Sequence, residues 1–424
     1  MKIANWLVRM KPSATWSRWM KWLLGAMLII SPVVGLWLVA GIGNNGFRYP
    51  AGEAPHGRLR YINNLPVLQV EGTPEQIGTT VARLAVQHAE ALARYPRELF
   101  FAVTPDWLGD SVKERLWRNT LAAGERLINN LPERYKREYQ ALRQALPEKW
   151  HDSLLAGNTL FDIKRVVHCS AVVLSHERVQ DPQKNLRGPI LGRNLDFPTL
   201  GYLHHYSLIM VYKPQGKFAF IAVGFPGLVG VLSGMNKHGL CVAMLEVYES
   251  GDDSPSFNPR GIPYAICLRH ILEECRTVAE AKRLISSLPR TCYYNLAVCD
   301  RETGGVLEVT PKQVVMRTLE NGLCACTNHF LSEGLAVRTN GNFNQTEPRL
   351  AALLELGNTP KVSLEAVQQA LHRANQGKFT MQTMVFEPSV LRLYLAMGQC
   401  PSSALPFVVL EAGPLLVGQP AGSP

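Results

Sequence analysis

The feature that most constrains this chain is an uncharged apolar run near its N-terminus. Residues 22–42 contain no Asp, Glu, Lys or Arg and are rich in Leu, Ile, Val, Trp and Ala. As a helix, a run of this length crosses a hydrocarbon core about 30 Å thick. It is longer than the apolar region of a cleavable signal peptide, although Leu38-Val39-Ala40 resembles part of a cleavage site. We therefore predict a transmembrane anchor at 22–42, with a cleaved signal as the alternative.

The charges around this run predict its orientation. No acidic residue precedes Glu53, whereas five basic residues precede the run: Lys2, Arg9, Lys11, Arg18 and Lys21. Positive charge on one side of a span holds that side in the cytoplasm. The sequence thus predicts a cytoplasmic leader at 1–21 in the cell membrane and an exported, periplasmic or extracytoplasmic remainder. These five residues supply half of the formal net charge of +10, and the rest is too dilute for a nucleic-acid-binding surface.

The remainder of the chain has the pattern of sheets covered by helices. Residues 43–58 are rich in Gly, Pro and Asn and predict a flexible linker, followed by one domain at 59–424. Thr73, Pro74 and Gln76 are typical of a helix start with a capping box. Helical patterns then alternate with apolar strands: helices up to about 150, strands at 166–174, 189–197, 206–212 and 218–223, helices at 262–287, strands at 293–318, helices at 346–357 and 362–375, and strands after 380.

Several enzyme classes lack their motifs in this sequence. There is no G-x-S-x-G elbow, P-loop, H-E-x-x-H or strand-linked G-x-G-x-x-G. The nine cysteines include no C-x-x-C, and an odd number leaves at least one thiol unpaired in an exported protein. One of these cysteines, Cys169, lies in an apolar strand just upstream of several polar segments.

The polar segments follow Cys169 in a fixed order. They are Gly192-Arg193-Asn194-Leu195-Asp196-Phe197, Gly234-Met235-Asn236-Lys237-His238-Gly239-Leu240, Thr327-Asn328-His329-Phe330 and Arg349. In this order they resemble the N-terminal nucleophile hydrolases, in particular the penicillin acyltransferase-like (C45) group, which is related to choloylglycine hydrolase and acid ceramidase. The resemblance implies an α+β fold, a four-layer αββα sandwich, with no cofactor and no metal.

The resemblance also implies that the chain cuts itself. The bond between His168 and Cys169 would break, leaving an α segment at 59–168 and a β segment at 169–424 that stay associated. Cys169 would then be the nucleophile, and its new α-amine, with a pKa about 8, would be the base that takes the thiol proton. A departure from the usual pattern is His168, where many members of the group have glycine.

The same resemblance implies roles for five other residues. Arg193 would stabilise the thiolate or the substrate carbonyl, and Asp196 would bind the α-ammonium. Asn236 and Asn328 would donate to the tetrahedral oxyanion, a contribution of about 3 kcal/mol per donor. Arg349 is a possible further site residue, as a structural or substrate-side cation.

The sequence thus predicts a membrane-anchored amidohydrolase or acyltransferase acting on a linear N-acyl amide through a thioester. Its partners would be a small-molecule amide and the membrane. Two alternatives stay open: a non-catalytic, membrane-tethered binding protein that keeps the fold, and a cysteine/histidine protease without self-processing, in which His168 or His329 would be the base.

Overall fold

The computed structural model describes residues 46–163, 168–337 and 345–417. The predicted leader at 1–21 and anchor at 22–42 lie outside these residues. Within the described ranges, no helix is both long enough and apolar enough to cross a membrane.

The predicted linker is in fact largely part of the folded domain. Strand β1 (Gly52–Ala54) pairs antiparallel with β2 (Gly57–Ile62) across a tight turn. Tyr49 is buried and donates a hydrogen bond of 2.8 Å to the carbonyl of Tyr206. The expectation of a flexible linker up to residue 58 was therefore wrong from about Tyr49 onward, because the Pro and Gly residues there shape a hairpin turn.

Most of the helices lie where the sequence pattern predicts them, and those at His151–Ile163 and Gly413–Val417 lie outside the predicted ranges. The first begins as predicted: the Thr73 hydroxyl accepts from the Gln76 amide, the Gln76 side chain accepts from the Thr73 amide, and Pro74 is the first helical residue. The helices are α1 (Pro74–Leu84), α2 (Tyr95–Ala102), α3 (Asp110–Asn129), α4 (Glu133–Gln144), α5 (His151–Ile163), α6 (Tyr264–Glu274), α7 (Val278–Ser287), α8 (Thr346–Leu354), α9 (Leu364–Arg373) and α10 (Gly413–Val417).

The remaining strands, with β1 and β2, form two sheets. They are β3 (Leu65–Gly72), β4 (His168–Leu174), β5 (Ile190–Asp196), β6 (Leu208–Pro214), β7 (Phe220–Gly224), β8 (Ser233–Asn236), β9 (Cys241–Glu246), β10 (Tyr294–Cys299), β11 (Gly304–Val309), β12 (Val314–Thr318), β13 (Leu323–Cys326), β14 (Thr380–Glu387), β15 (Arg392–Met397) and β16 (Val408–Glu411). The large sheet has the order β1-β2-β3-β6-β7-β8-β9-β10-β11-β12, and the small sheet β13-β4-β5-β14-β15-β16. All neighbouring pairs are antiparallel except β3 with β6.

The two sheets pack face to face and helices cover their outer faces. Strands β4 and β5 contact β9 and β10 across the interface. Helices α1, α6 and α7 pack on the large sheet, and α8 and α9 pack on the small sheet. The predicted αββα order of layers is thus present.

Alternation along β4 and β5 decides which side chains meet between the sheets. Cys169 pairs with Leu195 and Ala171 pairs with Arg193, and residues opposite each other on paired strands share a face. Their face points toward the large sheet. Asn194 points the other way, where its amide donates to the carbonyl of Leu371 on α9.

Candidate active site

Cys169 lies at the start of β4 with its side chain buried between the sheets. Its nearest polar partner is Arg193, whose Nη2 donates to Sγ at 2.7 Å. Two of the predicted site residues, 24 positions apart in the chain, are therefore in direct contact because β4 and β5 are hydrogen-bonded neighbours.

Arg193 is fully buried and is held by groups of the large sheet. Its Nη1 donates to the hydroxyl of Ser233 and, at 3.4 Å, to the carbonyl of Leu232. Its Nη2 also approaches the carbonyl of Met244 at 3.3 Å. These contacts fix the guanidinium against the sulfur, a geometry suited to stabilising a thiolate.

The thiol is nevertheless held in its neutral form in the intact chain. Burial raises the pKa of Cys169 to about 11, although Arg193 acts in the opposite direction. A thiol in this state is a weak nucleophile near neutral pH, so its reactivity requires a base close to the sulfur.

Asn328 contacts the backbone nitrogen of Cys169. Its Oδ1 accepts from the Cys169 amide at 3.0 Å and from Arg349 Nη2 at 2.8 Å, while its Nδ2 donates to the carbonyl of Glu246 at 2.7 Å. The two donors at Oδ1 fix the orientation of the side-chain amide. Asn328 therefore meets Cys169 as an acceptor, and its predicted role as an oxyanion donor stays a prediction.

Arg349, on α8, spans several groups of this site. Its Nη1 donates to the carbonyl of Cys169 at 2.5 Å and to the Ser170 hydroxyl at 3.0 Å. The same atom lies 3.9 Å from Oδ2 of Asp196. Arg349 is thus a buried cation at the nucleophile's backbone and beside the Asp196 carboxylate.

Asp196 is fully buried at the end of β5, with one carboxylate oxygen occupied by a hydrogen bond. Oδ1 accepts from the hydroxyl of Thr380 at 2.5 Å, whereas Oδ2 has no hydrogen-bond partner among the described residues. Burial raises the pKa of Asp196 to about 6, against the opposing effect of Arg349. The carboxylate therefore has an unused acceptor beside the first residues of β4.

Asn236 does not join this group, which corrects the prediction made for it. Its Nδ2 donates to the carbonyls of Leu272 and Cys275 at 3.0 and 2.7 Å, at the C-terminal end of α6. Its Oδ1 accepts from the backbone amides of His238 and Leu240. Ser233, on the same strand, points inward to Arg193, and Asn236, three residues later, points outward to the helix layer. Asn236 joins a turn to a helix.

Sequence reasoning missed three residues at the site. Ser233 holds Arg193, Thr380 holds Asp196, and Glu246 ends β9 with its backbone carbonyl on Asn328. The Glu246 side chain is buried, and the Tyr264 hydroxyl lies 3.4 Å from its Oε1. A carboxylate ending an otherwise apolar run was the available signal for Glu246. Ser233 and Thr380 carried no comparable signal.

His168 and His329 are the histidines that a cysteine/histidine protease would use as its base. His168 precedes Cys169 on the same strand, so their side chains point to opposite faces of the sheet. Burial and, to a smaller extent, the charge of Arg349 lower the pKa of His168 to about 3. His329 Nδ1 lies 2.8 Å from the Thr346 hydroxyl. Among the described residues, the hydrogen-bond donor side chain at the sulfur is Arg193.

Comparison with solved structures gives low similarity. A mutant conjugated bile acid hydrolase from Clostridium perfringens has a TM-score of 0.39 and 14% identity, covering 57% of this chain and 92% of that chain. An N-acylethanolamine-hydrolyzing acid amidase ortholog from Caenorhabditis elegans has a TM-score of 0.39 and 16% identity, covering 52% and 93%. Penicillin V acylase from Agrobacterium tumefaciens has a TM-score of 0.33 and 12% identity, covering 57% and 76%. At these TM-scores the likeness carries no conclusion.

One curated protein and one protein family are similar to this chain in sequence. Protein dcd1B of Dictyostelium discoideum is 30% identical over 125 residues, covering 28% of this chain and 24% of that protein. The chain thus matches about a quarter of the length of this curated relative. The family model of acyl-coenzyme A:6-aminopenicillanic acid acyl-transferase matches residues 183–399, which include Arg193, Asp196, Asn328 and Arg349 but begin after Cys169.

The family match extends over a little more than half of the chain and includes both arginines of the site. It confirms the resemblance seen in the sequence: this protein belongs to the acyl-coenzyme A:6-aminopenicillanic acid acyl-transferase family of N-terminal nucleophile hydrolases.

Proposed function

We propose that this protein is a membrane-anchored, self-cleaving enzyme that hydrolyses or transfers the acyl group of a linear N-acyl amide through a thioester on Cys169. The contacts of Cys169 support this proposal. A buried thiol contacts an arginine, while the nitrogen of the same residue contacts Asn328 and lies at the strand end where Asp196 presents an unused oxygen.

The first reaction would be cleavage of the chain at its own Cys169. The sulfur adds to the carbonyl carbon of His168, the peptide C–N bond breaks, and the thiol proton passes to the Cys169 nitrogen. Water then hydrolyses the resulting thioester, which restores the thiol and leaves a carboxylate on His168. The product is a free α-amine on Cys169, a group with a pKa about 8.

This α-amine would supply the base that the intact chain lacks. It takes the thiol proton, the thiolate attacks the substrate carbonyl, and the α-ammonium returns the proton to the leaving amine. Arg193 stabilises the thiolate, and Asp196 accepts a hydrogen bond from the ammonium through Oδ2. Attack of water on the thioester gives hydrolysis, and attack of an amine gives acyl transfer.

The two segments would stay together after cleavage. Strand β3 of the α segment is paired along its length with β6 of the β segment, in the interior of the large sheet. Asn158 of α5 also donates to the carbonyl of Gly227 and accepts from the amide of Val229. Separating the segments would expose these hydrogen bonds and much of the core.

The pH dependence of amide release tests this chemistry. Because Asp196 must be ionised to bind the ammonium, we expect kcat to fall on the acid side with an apparent pKa at or below about 6. Arg349 lowers the pKa of Asp196, so Arg349→Gln is expected to move this acid limb to higher pH, while Arg349→Lys keeps the cation and the limb. The measurement is the pH profile of amine release from a series of N-acyl amides.

Arg392→Gln is the matched control for this experiment. Arg392 also pairs with a buried carboxylate of the small sheet, that of Glu387, so its loss should leave the acid limb unchanged. An acid limb unaffected by Arg349→Gln would contradict the role of Asp196. Failure of the cut wild-type protein to release amine from any N-acyl amide would contradict the proposed activity.

The anchor is tested by fractionation. We expect the full chain to stay in the membrane pellet after carbonate extraction, and a chain that starts at residue 43 to be extracted. A reporter fused after residue 424 should be active outside the cytoplasm. Recovery of a soluble protein that has lost its first 40 or so residues would instead support the cleaved-signal alternative.

A further inference from the structure

An apolar cavity, partly open to solvent, lies between the helices of the α segment and the small sheet. Ligand sites in proteins are concave and mostly apolar, and this cavity has both properties. Helices α2 and α5, the loop 225–228 and the end of β5 form its walls. Among the described residues that line it none is charged, and the hydroxyls of Tyr95 and Ser153 donate to the backbone carbonyls of Pro198 and Ala93. The cavity therefore suits an apolar group, such as the hydrocarbon part of a ligand.

This cavity shares a wall with the nucleophile. Leu195 lines it and is the cross-strand partner of Cys169, so both side chains are on the same face of the small sheet. Leu232 also lines it, and its carbonyl accepts from Arg193. An acyl chain attached to Cys169 as a thioester would have this cavity beside it.

Gly157 lies at the centre of the helix face that forms one wall. The lining residues of α5 include Ser153, Leu154, Leu160 and Phe161, which are three or four positions before or after Gly157. Such positions share one face of a helix. A Cβ at Gly157 would meet no atom within 4 Å, so this part of the face borders open space.

A glycine inside a helix destabilises the helix by about 1 kcal/mol relative to alanine, so its presence needs a structural reason. In the other helices of the α segment the reason is packing: a Cβ at Gly78 would lie 2.4 Å from the carbonyl oxygen of Glu138, and one at Gly124 would lie 2.6 Å from the hydroxyl of Thr159. No such contact exists at Gly157. The space in front of it belongs to the cavity.

We propose that the cavity binds a linear alkyl acyl chain and that Gly157 sets the length of chain it accepts. This inference rests on the proposed function, because it supplies the substrate class of the same site: N-acyl amides of medium or long unbranched acyl groups. Each buried methylene is worth about a fourfold gain in affinity. Affinity should therefore rise with chain length until the cavity is filled.

The test compares Gly157→Ala, Gly157→Leu and Gly157→Phe with the wild-type full chain at one fixed detergent concentration. Binding of saturated carboxylic acids from butanoate to octadecanoate is measured by displacement of a fluorescent fatty acid, which needs no catalysis. We expect Gly157→Phe to weaken the longest acids at least about tenfold while leaving the shortest unchanged, with smaller losses for Leu and Ala. Removing glycine favours the helix, so folding should be retained.

Gly357→Phe is the matched control, because a Cβ there also meets no atom within 4 Å but the residue lies outside the cavity. It should leave the chain-length profile unchanged. Wild-type-like binding of long acids by Gly157→Phe would overturn the proposal, as would a wild-type affinity independent of chain length.

A second measurement separates this inference from the proposed function. The kcat/KM for N-acyl amides of the same chain lengths should follow the binding profile in each variant. If no amide is cleaved but the acids still bind in the order set by Gly157, the cavity assignment holds and the proposed activity fails. If amides are cleaved with no dependence on acyl length or on Gly157, the activity holds and the cavity assignment fails.

Discussion

Cys169→Ala is expected to leave the chain uncut and to lower amide release by about 10⁴-fold or more, the scale of losing an enzymatic nucleophile. The sulfur is the atom that Arg193 contacts at 2.7 Å, and the same residue would supply the α-amine that acts as base. Intact mass and a denaturing gel would report two fragments, ending at His168 and beginning at Cys169, for the wild type. The variant would give one chain.

Cys326→Ala is the appropriate control. Cys326 is also a buried, unpaired thiol on the small sheet, but it lies on β13 opposite Ala171 rather than at Arg193. Its loss should change neither the fragments nor the rate of amide release. A wild-type protein that stays uncut and does not react with an iodoacetamide probe would contradict the proposed mechanism and favour the non-catalytic binding protein.

Glu138→Ala is expected to lower the free energy of unfolding by about 3 kcal/mol, because it leaves a buried cation without its main partner. Glu138 binds Arg269 through two hydrogen bonds of 2.7 and 2.6 Å, and both side chains are buried. Burial lowers the pKa of Arg269, but the nearby carboxylates of Glu138 and Glu273 raise it by more. Arg269 therefore stays ionised. Glu273 remains as a second partner in the variant, which places the loss at the lower end for a broken buried pair.

This ion pair also joins the two proposed segments, since Glu138 is on α4 and Arg269 is on α6. Equilibrium unfolding in urea measures the loss, and size exclusion of the cut protein reports whether the segments separate more readily. Glu75→Ala is the control, because its partner Arg137 is on the surface and solvent screens that pair. A change for Glu138→Ala as small as that for Glu75→Ala would contradict the stabilising role of the buried pair.

The sequence was sufficient for most local structure and for part of the site. Thr73, Pro74 and Gln76 predicted the start of α1 to the residue, because capping depends on side chains within one turn of the backbone. The apolar runs around Cys169 and Arg193 predicted β4 and β5, since strands buried on both faces are continuously apolar. The spacing of the motifs predicted the family.

Two predictions were wrong because motif spacing and composition determine neither strand register nor tertiary contacts. Asn236 lies in a motif of the expected form, but the direction of a strand side chain depends on register, and its register turns it to the outer helix layer. Residues 49–58 have the composition of a linker, yet the burial of Tyr49 makes them part of the domain. Composition does not report which distant surface a segment packs against.

The sequence by itself determined most of the helices and strands, because these depend on residues close together in the chain. It also determined the family and the order in which Cys169, Arg193 and Asp196 occur, because each motif is a short local pattern. Only the tertiary structure decided that Arg193 contacts the sulfur, that Asn328 accepts from the Cys169 nitrogen and that Gly157 borders an apolar cavity. These facts depend on strand register and on the face of the sheet toward which each side chain points. They also depend on packing between layers whose residues lie up to about 160 positions apart in the sequence.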